Sequence, residues 1–551
     1  MGQIIAAMFP QKSNIKDRFN CRNSAHHWNG LLWLLLVGVC FPGWFLTPLR
    51  AGTEEPSWNQ FRGAAGSGVA RDSQPPTKLG PDNLAWKIKI PGGLSSPITA
   101  GQRLIITGLE GESLVTLAFD TTTGNQIWRR EAPKVSLEKT HEFGHPAAST
   151  PCIANGRVFV YFGSFGLLVY DLMDGHDLWQ KPMPTPQSLY GMSTSPITYG
   201  DNLILALDDD ANLPDSKASR SRLMAIRQEN GDPVWEAPRP LARSAWSTPT
   251  VWKHDTGEDL VVFGSGRLCG YDPNTGTEKW FVTGFAREAI VQPVLGKGLV
   301  FASSALGGAP DEHADPEPLW QAMLQFDANG DGRIARTEIT KYFNYPLRAE
   351  VPVDHPGFGI PLPADPEKRK ERQNEIFGWI DKNHDGFWTH EEFVASISSR
   401  GNKPKLVAVR PGGKGDVTST HVEWELRKCI PEVPSALFYG DLLYLVRNGG
   451  LMTAVSPGDG KILFDERLNA PGQYTASPVA AGGHIYLVSN PGIVSVVKAG
   501  ATFDLRHQYN LQEPALVTPA LDANTVYIRS QTQLWAFRST PPEARPVLPQ
   551  K

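Results

Sequence analysis

Two stretches of this chain place oxygen-bearing side chains at identical spacings. The first runs from Asp327 through Asn329, Asp331, Gly332, Arg333 and Ile334 to Glu338. The second runs from Asp381 through Asn383, Asp385, Gly386, Phe387 and Trp388 to Glu392. Both satisfy D-x-[DN]-x-[DN]-G-x5-E at every fixed position. The chemistry that needs this pattern is the wrapping of a hard cation. Ca²⁺ takes oxygen ligands in a loose shell, and short Asp or Asn side chains at positions 1, 3 and 5 reach it from one turn of chain. Glycine at position 6 permits the sharp bend. Position 7 offers only its carbonyl, so Arg333 and Phe387 are tolerated there, and the Glu at position 12 closes the shell. The predicted metal ligands are therefore Asp327, Asn329, Asp331, Arg333 (carbonyl) and Glu338, with Asp381, Asn383, Asp385, Phe387 (carbonyl) and Glu392. Position 8 is apolar in both loops (Ile334, Trp388), as expected if the loops pair.

Such loops need helices to hold them. Asp315-Pro316-Glu317 and Asp365-Pro366-Glu367 read as N-caps followed by proline in the first turn. Leu319, Met323 and Phe326 share one helical face, as do Ile376 and Ile380. Ile339 and Phe343 predict a helix after the first loop. Phe393 and Ile397 predict one after the second, with Gly401 as its stop.

The remaining sequence is of a different kind. A chain of 551 residues exceeds one ordinary domain. Its formal charge of -4 gives no basis for a nucleic-acid partner. The 53 Gly, 46 Pro and 16 Trp predict many turns and recurring aromatic positions, as in all-β repeats. At the N-terminus, Lys12, Lys16, Arg18 and Arg22 precede an apolar run from Leu31 to Leu46. That run suits a signal-peptide core and is short for a spanning helix. Residues 1–52 are thus expected to be a targeting segment, either a Sec-type signal or an uncleaved anchor. The protein is expected to be exported, periplasmic or in the cell envelope. Membrane contact is expected only through that segment.

Downstream one phrase recurs: Ser/Thr-Pro, a β-rich run, then Asp-x-x-x-Gly-x-x-x-Trp. Ser96-Pro97 leads to Asp120, Gly124 and Trp128. Thr150-Pro151 leads to Asp171, Gly175 and Trp179. Ser195-Pro196 leads to Gly231 and Trp235, and Thr248-Pro249 to Asp272, Gly276 and Trp280. Worn copies begin at Gln292-Pro293, Pro434-Ser435, Ser477-Pro478 and Thr518-Pro519. Eight starts at a period of roughly 40–55 residues predict an all-β, eight-bladed propeller of four-stranded blades. The repeated Trp is expected to fill the gap between blades. Trp86 is expected to complete the last blade with an N-terminal strand. Pro293 and Pro434 lie much farther apart than the other starts, which places the calcium loops in an insert of the fifth blade. The expected organisation is propeller over 53–309, insert over 310–403, propeller over 404–540 and a disordered tail over 541–551.

The repeats resemble the quinoprotein-like (PQQ-binding-like) β-propeller superfamily from about Trp58 to Phe537, including an opening Trp58-Asn-Gln-Phe61-Arg62-Gly63. The insert resembles the EF-hand family. The first resemblance implies one of two functions. Some members are pyrroloquinoline-quinone (PQQ) dehydrogenases, which oxidise alcohols or sugars in the central channel with Ca²⁺ and an Asp base. Others are non-enzymatic, including a periplasmic scaffold of outer-membrane barrel assembly. The alcohol-oxidising members carry adjacent cysteines, whereas Cys152, Cys269 and Cys429 stand on three separate repeats. The expected function is a calcium-binding, non-catalytic scaffold for a protein or a small polar ligand, with the PQQ dehydrogenase as the alternative. Residues before each innermost strand rim the channel, which makes Tyr190, Arg243 and Trp246 candidates for a ligand site; Asp208 and Asp210 follow an apolar strand and are candidates facing the same mouth. His141 and His145 lie in the same kind of segment.

Overall fold

The computed structural model describes residues 58–141, 143–188, 190–209, 219–242, 245–264, 266–286, 288–305, 316–340, 345–346, 359–360, 365–398 and 404–539. The targeting segment, the tail, Asp210, Arg243, Asp315, Phe343 and Gly401 lie outside them.

Eight antiparallel sheets follow one another in sequence: 98–131, 152–182, 197–238, 250–282, 294–426, 437–467, 479–510, and 520–538 joined by 84–89. They form an eight-bladed propeller. In each blade the first strand is short and innermost, and the fourth is outermost. The central strands are buried on both faces, as in Leu104–Ile106, Val158–Phe162 and Leu443–Val446. Continuous apolar runs of this kind are what a sheet covered on both sides by its neighbours requires. The ring closes as expected: Leu84–Lys89 pairs antiparallel with Gln533–Arg538, giving blade 8 its outermost strand from the far end of the chain.

The recurring phrase has a physical meaning. Asp120 Oδ1 accepts the N–H groups of Thr122 and Thr123, which fixes the turn between the third and fourth strands. Asp171 and Asp272 do the same in their blades. The following glycine has φ near +70 to +80° and lies under the Trp of the preceding blade. A Cβ at Gly124, Gly175, Gly231, Gly276 or Gly460 would come within 2.5–3.0 Å of Trp86, Trp128, Trp179, Trp235 or Trp424 respectively. Each of these five indoles then donates to a backbone carbonyl of that turn. Trp280 departs from the expectation. It turns into its own blade, donates to buried Asp259 Oδ2 at 2.7 Å and stands edge-on to Trp252. Blade 5 lacks the Asp-x-x-x-Gly turn that would receive it. Gly415–Asp416 instead pairs in parallel with the outer edge of blade 4.

Blade 5 carries the insert. Leu299–Ser304 and Lys405–Val409 pair directly, with Ser304 opposite Lys405, so the intervening chain leaves and returns at adjacent positions. It contains helices α1 (Glu317–Met323), α2 (Pro366–Ile380) and α3 (His390–Ser398). The Asp365 carboxylate caps α2 by accepting from Glu367 N and Lys368 N at 3.0 Å. Ile334–Ala335 pairs with Phe387–Trp388, so the two loops meet at their eighth positions. The helix expected after the first loop is not found over the described residues Ile339 and Thr340. Thr340 N bonds back to Glu338 O, a tighter turn than a helix allows, and Pro346 follows shortly.

The glycine under each indole gives a direct test. Gly175→Ala is expected to lower stability by about 2 kcal/mol, because it adds both a clash with Trp128 and the strain of a positive φ. Denaturant unfolding monitored by Trp fluorescence measures this. An unchanged midpoint would remove the seam from the stability argument.

Candidate functional site

The loops between successive blades and the hairpins joining second to third strands share one face of the ring. Hydrogen bonds tie the two sets together: Glu138 N to Ser164 Oγ (2.9 Å), Ala286 N to Ser304 Oγ (2.8 Å) and Lys405 Nζ to Thr283 O (3.0 Å). The insert therefore rises from the face that carries the rim candidates.

The opposite end of the channel is closed by the chain itself. Trp58 exchanges hydrogen bonds with Thr99, Asn59 with Ile153, and Val69–Ala70 pairs in parallel with Ala480–Ala481. Gly66 lies against the Gln292 side chain, and Arg62 Nη2 donates to Ala436 O at 2.6 Å. Residues 58–70 thus cross the innermost strands of blades 1, 2, 5, 6 and 7. Arg62 is fully buried and its backbone φ is +59°. Burial lowers its pKa to about 9, and its Nε and Nη1 lack partners among the described residues. The sequence showed this opening phrase only as a family resemblance. Nothing in its spacing gives a plug.

At the rim, an aromatic group forms from three loops. Tyr190 meets His141 edge-on at 5.2 Å and Trp246 at 5.1 Å, and His141 lies 5.2 Å from Phe143, itself half exposed. Trp246 Nε1 donates to Ser188 Oγ and Gly191 O. Burial and then the Glu288 carboxylate push the Tyr190 hydroxyl up to about 12, with the guanidinium of Arg372 acting the other way. Tyr190 and Trp246 therefore come together at the rim. Asp208 does not join them. It is buried, and its carboxylate is paired with buried Arg239. That neighbour holds the guanidinium charged although burial opposes it. Asp209 is engaged with Arg220 and Gln187 N. Nor do the two histidines make a metal pair. Each turns Nδ1 to its own backbone, at Phe143 N and Ala147 N, and burial lowers His145 to about 4.

One rim-face residue escaped sequence reasoning. Glu138 sits with its carboxylate against Gly163 and Gly191, where a Cβ would come within 2.5 and 3.4 Å. Both oxygens are buried and without a close hydrogen-bond partner among the described residues; the nearby Met192 N–H favours the charged form and offsets the burial only in part. The buried Tyr161 hydroxyl, raised by the same burial and by Glu138, likewise has no hydrogen-bond partner among the described residues. Burial pushes the Glu138 carboxyl up to about 7. A single Glu in a polar loop carries no pattern that marks this.

The two insert loops gather oxygen alone, in matching arrangements. Asp327 accepts from Gly330 N and Gly332 N, Asn329 from Asp331 N, and Asp331 from Arg333 N. Glu338 folds back over the loop onto Ala328 N and Ala335 N. In the second loop Asp381 accepts from Asp385 N and Gly386 N, Asn383 from Asp385 N, and Asp385 from Phe387 N. Glu392 folds back onto Lys382 N and Thr389 N. These N–H groups orient the carboxylates. A donor set of oxygens alone fits a hard divalent ion. The one described group of three carboxylate or imidazole ligands within 4.8 Å is elsewhere, at Asp171, Asp174 and His176 on an exposed turn. There Asp171 caps the turn and His176 bonds Asp174.

Residues 80–251 and 416–540 match the family described as outer membrane protein assembly factor BamB. No curated protein matches the chain. Among solved structures, BamB from Moraxella catarrhalis is 10% identical, covering 84% of this chain and 98% of that one at a TM-score of 0.47. A europium-containing methanol dehydrogenase is 11% identical, covering 81% and 90% at 0.43. The quinohemoprotein alcohol dehydrogenase from Comamonas testosteroni is 12% identical, covering 89% and 82% at 0.38.

Glu138 yields a signed prediction. The folded carboxyl keeps its proton up to about 7, whereas the unfolded one releases it near 4.5. Between these values the folded state binds more protons, so stability falls as pH rises through the window. Glu138→Gln is expected to raise stability by up to about 3 kcal/mol at pH 8 and to change it little at pH 4.5. Thermal unfolding at both pH values checks this; an equal effect at the two would refute the burial argument.

Proposed function

This chain belongs to the family of the outer membrane protein assembly factor BamB, and on that premise we propose that it is an exported, non-catalytic binding scaffold with a calcium-binding EF-hand pair inserted in its fifth blade. The observation that carries the scaffold reading is the plug. Residues 58–70 fill one end of the channel with the chain's own backbone, which leaves the rim face and the insert as the surfaces on offer. The rim around Tyr190 and Trp246 suits a protein segment or a small polar ligand. Among the described residues no helix is long and apolar enough to cross a membrane.

The insert supports calcium through its paired loops, its oxygen donors and a shared core of Met323, Phe326, Ile334, Phe377, Ile380, Trp388 and Phe393. Ca²⁺ held by Asp327, Asn329, Asp331, Glu338 and their counterparts would neutralise a dense group of carboxylates and lock the loop pair.

The alternative, a PQQ dehydrogenase, draws on Glu138, since an unpartnered carboxyl with a pKa near neutrality is what a general base needs. Two buried arginines of this face are already engaged within the protein. Arg239 is committed to Asp208, and Arg529 to the carbonyls of Ser95, Thr107 and Pro91.

Calorimetry on the full chain tests the proposal. Two calcium sites are expected, with affinities on the order of 10⁻⁴–10⁻³ M, typical of extracellular modules. Glu338→Gln with Glu392→Gln should abolish them. Incubation with PQQ and Ca²⁺ should give no dye reduction with alcohols or sugars. Robust turnover, lost on Glu138→Gln and kept in the loop variants, would overturn the scaffold reading.

A further inference from the structure

Resting on the calcium reading above, we propose that the insert is a lid over the channel mouth and that calcium sets its closure. Three observations place it there. It leaves the ring at Ser304 and returns at Lys405, both bonded to loop 283–286 of the rim face. Its apolar core takes in Leu451, which begins the third strand of blade 6 on the same face. Arg372 of α2 comes close enough to Tyr190, on the loop between blades 2 and 3, to bear on its hydroxyl. In a ring of eight, blade 2 lies opposite blade 6. The insert therefore reaches from its point of attachment to the far rim, rather than standing clear of the propeller as an arm.

The same core links the loops to that reach. Trp388, at position 8 of the second loop, stacks on Phe377 of α2 at 4.8 Å and donates to Phe377 O. Arg336, in the first loop, stands over the Phe377 ring and 3.8 Å from Asp381. Arg372 is fixed on α2 by Glu375 at 2.9 Å and by the face of Trp379. Any change in loop order therefore moves the helix that carries Arg372. Without a cation, six carboxylates in the two loops (Asp327, Asp331, Glu338, Asp381, Asp385, Glu392) repel one another. Among the described residues, Arg333 and Arg336 are the basic side chains paired with them. A bound cation removes that repulsion and holds α2 over Tyr190. With the opposite end plugged, the mouth is the route by which a ligand would reach the channel, and calcium would control it.

Hydrogen–deuterium exchange on the full chain, with Ca²⁺ or with chelator, tests this beside calorimetry on the same samples. Calcium is expected to slow exchange several-fold in the insert and also in rim segments 137–145, 186–193 and 447–451. Leu451→Gln is expected to keep the calcium heats but lose rim protection, because it unseats the lid and leaves the loops intact. Tyr190→Ala, which cannot disturb the insert core, should raise exchange in α2 with calcium bound. Calcium heats accompanied by protection confined to the insert would overturn the lid while leaving the calcium sites standing. An absence of heats would overturn the calcium reading itself.

Discussion

Successive blades are joined by one repeated hydrogen bond at the inner circumference. The backbone N–H of Ser96 donates to Thr150 Oγ1, Thr150 to Ser195 Oγ, and Ser195 to Thr248 Oγ1, each from one blade to the next. The sequence resumes with Gln292 to Ser435 Oγ, Ser435 to Ser477 Oγ and Ser477 to Thr518 Oγ1. All these groups are buried, so each bond satisfies an N–H that would otherwise be stranded beside the channel. Several of the accepting residues precede a proline, which lacks an N–H and biases the residue before it towards an extended conformation. That pairing explains why Ser/Thr-Pro marks the start of so many blades. The rim loops, the plug and the insert all hang from strands whose spacing this belt fixes.

The belt changes at blade 5. Gln292 takes the place of the hydroxyl residue, and its side chain turns to Pro249 O and the plug. Trp280 also withdraws from that seam, and the insert departs from that blade. Three local departures therefore coincide where blade 4 meets blade 5. The two faces differ for related reasons: one is sealed by backbone pairing with residues 58–70, the other is dressed by long loops. The ring is therefore structurally asymmetric between its two faces.

Much of the fold was legible because its rules are local. An Asp cap, a glycine at positive φ and an indole four residues on repeat within a short window, and Trp86 supplied the missing closure. What was not legible depended on partners distant in the chain. Asp208 read as a ligand-site candidate, yet it is paired with buried Arg239. Trp280 read as a seam residue until its receiving turn proved absent. Glu138 acquired its character only from Gly163 and Gly191, and the plug from contacts spread over five blades.

Closure of the ring has a consequence for how the chain acquires its shape. Blade 8 takes three strands from residues 520–538 and its fourth from 84–89, with Arg529 clamping it to Ser95, Thr107 and Pro91 of the opening segment. No intermediate length of a growing chain can make that junction. Until the last strands emerge, blade 1 and blade 7 each expose a flank to water, and the 58–70 segment lacks several of its walls. Folding to the closed state is thus governed by one pairing between nearly opposite ends of the molecule, the kind of contact that forms slowly. The ring can close only once residues 533–538 are free to pair with 84–89.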